Sequence, residues 1–251
     1  SRGPSGTRLF LFTLLMKLIF EDTDLIVIDK PSGLLSVPDR YIPELPNALE
    51  TLSRKYGEIR PVHRLDKETS GLLCFARNQA AQRKLSEQFE QRSVEKTYLA
   101  VVEGTPAIEV GEINYALAPH PGKPGRMIVS NKGKSAISKY RIKEHLGNYT
   151  LAEIKIMTGR THQIRVHLAA IGHPLVVDSF YGRRDKLLLS EIKGRRYRPN
   201  RSGEERPLLS RVPLHAHTLG FIHPSSQEEM SYTSDMPKDM RAAVAQLRKW
   251  G

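Results

Sequence analysis

Apolar residues along this chain fall into short runs that alternate with stretches carrying apolar residues three or four apart, the signature of strands interleaved with helices. Residues 25–28 form a compact apolar run ended by Asp29-Lys30-Pro31-Ser32-Gly33, which reads as a buried strand and a turn, and 34–37 read as a second strand. Further buried strands are predicted over 72–76 and 98–102. Residues 137–142 and 151–156 read as a pair joined by a polar turn at Gly147-Asn148, and 215–222 with 230–233 read as closing strands. Helices are predicted over 47–56, capped by Asn47, and over 78–92, capped by Asn78 with Leu85 and Phe89 four apart. A third helix runs from a Thr161 cap to Gly172, with Ile164, Leu168 and Ile171 on one stripe and His162, Arg165 and Ala169 on another side. A terminal helix opens at Pro237 with Met240, Val244 and Leu247 on one face. Between 103 and 134 the pattern predicts loop and short strand. No internal repeat or long linker interrupts it. This arrangement, without regular strand-helix-strand units, predicts an α+β fold with a mixed, largely antiparallel central sheet and flanking helices.

Length and charge narrow the picture. At 251 residues and 39% hydrophobic content the chain can bury a sizeable core, and it is read as a single domain from residue 16 onward. Residues 1–15 are read as a non-native or flexible leader, because residue 1 is not methionine and Met16 directly precedes strand-like Leu18-Ile19-Phe20. The apolar stretch 9–20 includes Thr13 and Lys17 and is shorter than the roughly 20 residues that cross a bilayer, so no membrane span is expected. A formal charge of +12 points to a polyanionic partner without saying which. Half of that charge lies in a basic insertion over 183–211, where ten Lys or Arg stand against four Asp or Glu. Cys74 is the only cysteine, so no intrachain disulfide can form, and its apolar neighbours suggest a buried thiol in a reducing, cytoplasmic setting. No metal is expected: His162 and His167 are five apart, not four, and one cysteine makes no zinc cluster. No Gly-rich nucleotide loop is present, so no cofactor is expected.

The densest chemistry lies in His63-Arg64-Leu65-Asp66-Lys67-Glu68-Thr69-Ser70-Gly71-Leu72-Leu73, a carboxylate set between basic residues and a turn. If 62–66 are extended, Arg64 and Asp66 share one face and His63 and Leu65 the other. Taken alone, the segment reads first as a surface Asp beginning a turn, and composition does not overturn that. His-Arg-Leu-Asp followed by Thr-Ser-Gly-Leu resembles the catalytic motif of the RluA-like family of RNA pseudouridine synthases. Lys96-Thr97-Tyr98-Leu99-Ala100 and Gly159-Arg160-Thr161-His162-Gln163-Ile164-Arg165-Val166-His167 resemble two further signatures of that family, in the expected order. The likeness runs from about Leu25 to the Phe221-Ile222-His223-Pro224 stretch.

The resemblance implies the pseudouridine synthase fold with a catalytic cleft, and an isomerase that exchanges the ribose C1′ to uracil N1 bond for one to C5 in ribosomal or transfer RNA, without redox or cofactor. It makes Asp66 the catalytic carboxylate, by attack on C1′ or through a glycal-type intermediate. An apolar surrounding favours the neutral carboxyl, so a permanent cation is needed; Arg165 matches the family arginine that pairs with it. Tyr98 matches the catalytic tyrosine that stacks on the target base, with removal of the C5 proton as a second role open to its phenol. A buried target must be flipped out, with Arg64 propping the vacated space and His63 ordering the loop. His63, Arg64, Arg160, His162 and Gln163 are the expected RNA-binding set at the motifs. Lys193, Arg195, Arg196, Arg198 and Arg201 around Tyr197 are expected to form a mobile arm that orders on RNA. The chain departs from many relatives in the enlarged 183–211 segment and in having too little sequence before Leu25 for an appended RNA-binding domain. A monomer is expected. The alternative reading is a basic RNA-binding or ribosome-assembly factor on the same fold; a two-carboxylate glycosidase lacks an identifiable second acid.

Overall fold

The computed structural model of the protein describes residues 16–199 and 204–251. In chain order its elements are β1 (Lys17–Glu21), β2 (Leu25–Lys30), α1 (Ala48–Tyr56), β3 (Arg60–Pro61), β4 (Ser70–Ala76), α2 (Gln79–Glu90), β5 (Glu95–Glu103), β6 (Val110–Asn114), β7 (Leu117–Pro119) and β8 (Met127–Val129). They continue with β9 (Ile137–Leu146), β10 (Tyr149–Ile156), α3 (Gln163–Ala170), α4 (Leu189–Lys193), a 3₁₀ turn (Gly194–Arg196), β11 (Leu214–Ile222), β12 (Glu229–Thr233) and α5 (Lys238–Trp250). The fold is α+β with largely antiparallel strands, as the sequence pattern predicts. The chain forms two compact units. Among the described residues one comprises 16–96 together with Ala216–Asp235, and the other those of Thr97–His215 with Met236–Gly251.

In the first unit β2 pairs antiparallel with β1 and, in the register Leu25↔Ala76 to Lys30↔Gly71, with β4. β4 is buried at all seven positions, which is why its sequence lacks polar alternation. The inward residues of one face, Leu25 and Val27 with Leu72, Cys74 and Ala76, pack on Ala81 and Leu85 of α2. Both helices start where an asparagine side chain accepts an N–H of the first turn: Asn47 from Glu50 and Asn78 from Ala81. The predicted strand over 34–37 is not formed. Its carbonyls are taken elsewhere, Leu34 by the Lys30 ammonium and Leu35 and Ser36 by the first N–H groups of α1, leaving one bridge between Leu35 and Asn47.

In the second unit the strands run in the order β5-β10-β9-β6, all antiparallel. The β9–β10 hairpin turns at Gly147, whose φ of 68° suits glycine. Met240, Ala243, Val244 and Leu247 of α5 close a core with Val101, Leu146, Leu151, Val176, Leu187 and Leu209. Two of these, Leu187 and Leu209, lie in the basic insertion, so the expectation of a mobile arm needs correction. Its described residues fold: a bridge joins Leu187 to Leu209, α4 and the 3₁₀ turn follow, and Arg184 bonds Glu103 and Glu191. Buried leucines anchor the segment. Arg201 lies outside the described residues. Among the described residues no helix is long and apolar enough to cross a membrane.

Candidate active site

Asp66 sits in the irregular segment that leads into β4, and the neighbouring backbone is pinned from several sides. Lys30 is completely buried, and its ammonium donates to the carbonyls of Leu34 (2.7 Å), Pro31 (3.0 Å) and Lys67 (3.3 Å). An ammonium has three protons to place, and carbonyl acceptors are what make its burial tolerable. Ser32 Oγ donates to the Glu68 carbonyl at 2.7 Å, and the Gly33 N–H to that of Lys67 at 2.8 Å. Ser36 Oγ both donates to the Leu65 carbonyl (2.9 Å) and accepts the Leu65 N–H (3.0 Å). Carbonyls on both sides of Asp66 are thus held by the Lys30–Ser36 loop. The Asp66 carbonyl accepts the Thr69 N–H at 3.1 Å and closes the turn. Leu65 is buried and Arg64 exposed, in keeping with the predicted alternation, although no strand forms there.

His63, expected to order the loop and to touch RNA, is tied to β4 and α2: its Nε2 accepts the Cys74 N–H at 2.9 Å and its ring stacks on Phe89 at 4.5 Å. Burial, with Lys96 as the second cause, lowers the ring's pKa to about 3. The Cys74 thiol is buried as expected, and burial pushes its pKa up.

In the second unit α3 departs from the expected amphipathic helix. Residues 163 through 168 are all buried, so the helix has no solvent stripe for Arg165. Arg165, 5% exposed, forks onto Asp178 with Nε to Oδ2 and Nη2 to Oδ1 both at 2.7 Å. Its guanidinium lies 5.1 Å from the Tyr181 ring centre and 5.3 Å from that of Phe180. Burial opposes the ionised form of Asp178, but the Arg165 fork and the N–H groups of Phe180 and Tyr181 outweigh it and hold the carboxyl below its ordinary range. Thr161 is not the cap either. His162 takes that position at φ 52°, with Nδ1 2.8 Å from the Tyr181 hydroxyl.

Gln163, expected at RNA, is instead the knot of this turn. Its Oε1 accepts from Thr158 Oγ1 (2.7 Å) and the Arg160 N–H (3.0 Å), and its Nε2 donates to the Ile137 carbonyl and Ser138 Oγ, both at 3.0 Å. An amide has two donors and two acceptor sites, so nothing is left for a ligand. Arg160 Nε donates to the Ser135 carbonyl, and His167 bridges Ser138 Oγ and the Tyr115 carbonyl. Tyr98 stands on β5 opposite Ile154 of β10 and is 7% exposed. On the insertion, Lys193 and Arg196 lie over the Trp250 ring, while Arg198 donates to the carbonyls of Arg195 and Tyr197. Sequence reasoning missed Lys30, Ser36, Asp178 and Tyr181. Lys30 and Ser36 flank a Pro-Ser-Gly turn, and Asp178 closes the apolar run Leu175-Val176-Val177; those are the only local signals. Among the described residues no group of three His, Cys, Asp or Glu could hold a metal.

The pinned Asp66 loop and the buried Arg165 lie in the motifs whose sequence resembles that of the RNA pseudouridine synthases. The family model described as RNA pseudouridylate synthase matches residues 24–170. A Zymomonas mobilis protein named "Ribosomal large subunit pseudouridine synthase D" is 38% identical over 92% of this chain and 73% of its own length. "Dual-specificity RNA pseudouridine synthase RluA" of Pasteurella multocida is 34% identical over 87% of this chain and 92% of its own. The fold is also that of the solved structure "Human RNA Pseudouridylate Synthase Domain Containing 4", with a TM-score of 0.73, 22% identity and 96% coverage of both chains. The chain belongs to the RNA pseudouridylate synthase family, in its RluA-like branch, and is an RNA uridine isomerase.

Proposed function

We propose that this synthase isomerises uridines in ribosomal RNA, with Asp66 as the carboxylate that acts at C1′ of the target. The ribosomal assignment draws on the name of the Zymomonas relative, and transfer RNA, which the sequence resemblance also implies, is a second substrate to test. The observation that carries the role of Asp66 is the bracing of its loop. Lys30, Ser32, Gly33 and Ser36 hold the carbonyls of residues 65, 67 and 68, and so fix the backbone from which the carboxylate projects. Positioning of this kind is worth more to a reaction at one sugar carbon than to a surface turn. Whether the carboxylate attacks C1′ or promotes a glycal, the N1–C1′ bond breaks, the uracil turns, C5 bonds to C1′ and the C5 proton leaves while N1 gains one, so no co-reactant is consumed. In this reading Tyr98 stacks on the uracil and Arg165, oriented by Asp178, supplies the permanent cation. Arg64 and Arg160 contact the RNA.

Release of tritium from C5-labelled uridine in large-subunit ribosomal RNA and in transfer RNA tests both parts. The wild type should release it from the ribosomal transcript, and Asp66→Asn should release none while keeping RNA affinity within a few fold. Measurable turnover by that variant would sink the assignment of Asp66.

A further inference from the structure

Beside the Asp66 loop lies a hollow of about 190 Å³ whose walls include Ser36, Asp39, Arg40, Tyr41, Arg64 and Lys67. Building on the role proposed for Asp66, we propose that this hollow is a subsite for a nucleotide flanking the target uridine, with Tyr41 as its stacking platform and Arg40 and Lys67 facing its phosphates.

Tyr41 is 84% exposed and Ile42 beside it 53%, an unusual display for large apolar side chains on one loop. The display is built. Asp39 Oδ1 accepts the N–H groups of Tyr41 (2.8 Å) and Ile42 (3.0 Å), which fixes the turn that presents the ring. Those two N–H groups, and then Lys67 and Arg64, hold the Asp39 carboxyl below its usual range, so the acid is committed to the turn. The Arg40 guanidinium lies 5.8 Å from the Tyr41 ring centre and extends the platform. Arg40, Arg64 and Lys67 place three cations on the walls of the hollow, with Asp39 the single carboxylate among its lining residues. An open aromatic face among three cations and one carboxylate matches a single-stranded nucleic acid, whose bases stack and whose phosphates neutralise.

The hollow is also tied to the chemistry. Its Ser36 wall exchanges two hydrogen bonds with Leu65, and Lys67 follows Asp66 directly, its carbonyl held by Lys30. A nucleotide held there keeps a fixed offset from Asp66, and a hollow of this size suits one base beside the target rather than a remote duplex.

The test measures binding of a short fluorescein-labelled single-stranded oligouridylate, and of an abasic ribose-phosphate oligomer of the same length, across a salt series. Tyr41→Ala should weaken binding of the oligouridylate by about tenfold, the scale of one lost base stack, while the abasic oligomer binds as before. Tyr41→Phe should stay near wild type. Arg40→Ser and Lys67→Ser should each flatten the slope of log affinity against log salt by about 0.7, whereas Tyr41→Ala leaves it unchanged. Full affinity of Tyr41→Ala for the oligouridylate, in a protein that still releases tritium from ribosomal RNA, overturns the subsite alone. A wild type that releases no tritium overturns the proposed function instead, so the two failures are distinguishable.

Discussion

The His63 imidazole accepts the Cys74 N–H at Nε2, so its proton sits on Nδ1, and adding a second proton would break that bond inside the stack on Phe89. Its folded pKa of about 3 lies below the value of 6.5 for an ordinary histidine. Between those values the unfolded chain binds more protons than the folded one, so stability is complete above about pH 6.5 and falls as the pH drops toward 3. His63→Gln keeps an acceptor and removes the titration. Urea unfolding of the wild type should weaken from about pH 6.5 to about pH 4, and the variant should weaken markedly less over the same range; parallel curves would show that another group sets the acid sensitivity. The motif made His63 and Asp66 visible in the sequence, but a bond to the backbone of β4 is not a sequence pattern. Asp178 was hidden for the same reason. Arg165 reads as a helix residue with a free side until the fold brings a carboxylate thirteen residues away into a fork with it.

β4 shows what an element demands of one residue. Gly71 sits at φ 112°, and a Cβ there would lie 2.2 Å from the Ala216 carbonyl oxygen and 2.6 Å from the Ala216 nitrogen. These are backbone atoms of β11, which cannot swing away as a side-chain tip can. Gly71→Ala should cost about 3 kcal/mol or more, from overpacking together with a strained backbone. Thermal unfolding reads this as a fall in Tm, and an unchanged Tm would mean that the two strands separate at little cost. Elements governed by local chemistry were legible beforehand: α1 and α2 from their asparagine caps, β2, β4 and β5 from apolar runs, the β9–β10 hairpin from its Gly-Asn turn, and α5 from Pro237 and its apolar face. Elements governed by distant partners were not. Residues 34–37 lose their ladder to Lys30 and α1, and α3 starts after His162 without a side-chain cap, not at a Thr161 hydroxyl.

Across the whole molecule the balance of 39 Lys and Arg against 27 Asp and Glu makes polyanion binding strongly salt-dependent, and the 183–211 segment carries half of the net charge. The structure changes how that segment can act. Leu187 and Leu209 anchor it in a core, and Lys193 and Arg196 lie 5.0 Å and 5.7 Å from the Trp250 ring centre, so its cations are displayed from a folded base. Such a surface loses less conformational entropy on binding than a disordered arm. Replacing Arg195, Arg196 and Arg198 by Ser should therefore weaken binding of ribosomal RNA and lower the salt slope by about 0.7 to 0.9 for each phosphate contact removed. Turnover at saturating RNA should stay near wild type, because the Asp66 loop is untouched. Trp250 is the only tryptophan in the chain, so its fluorescence reports on this surface alone. RNA should change that emission in the wild type and change it less in the triple variant, which lacks the Arg196 guanidinium over the ring. An unchanged salt slope would remove the segment from the RNA contacts and leave the cations over Trp250 a purely structural role.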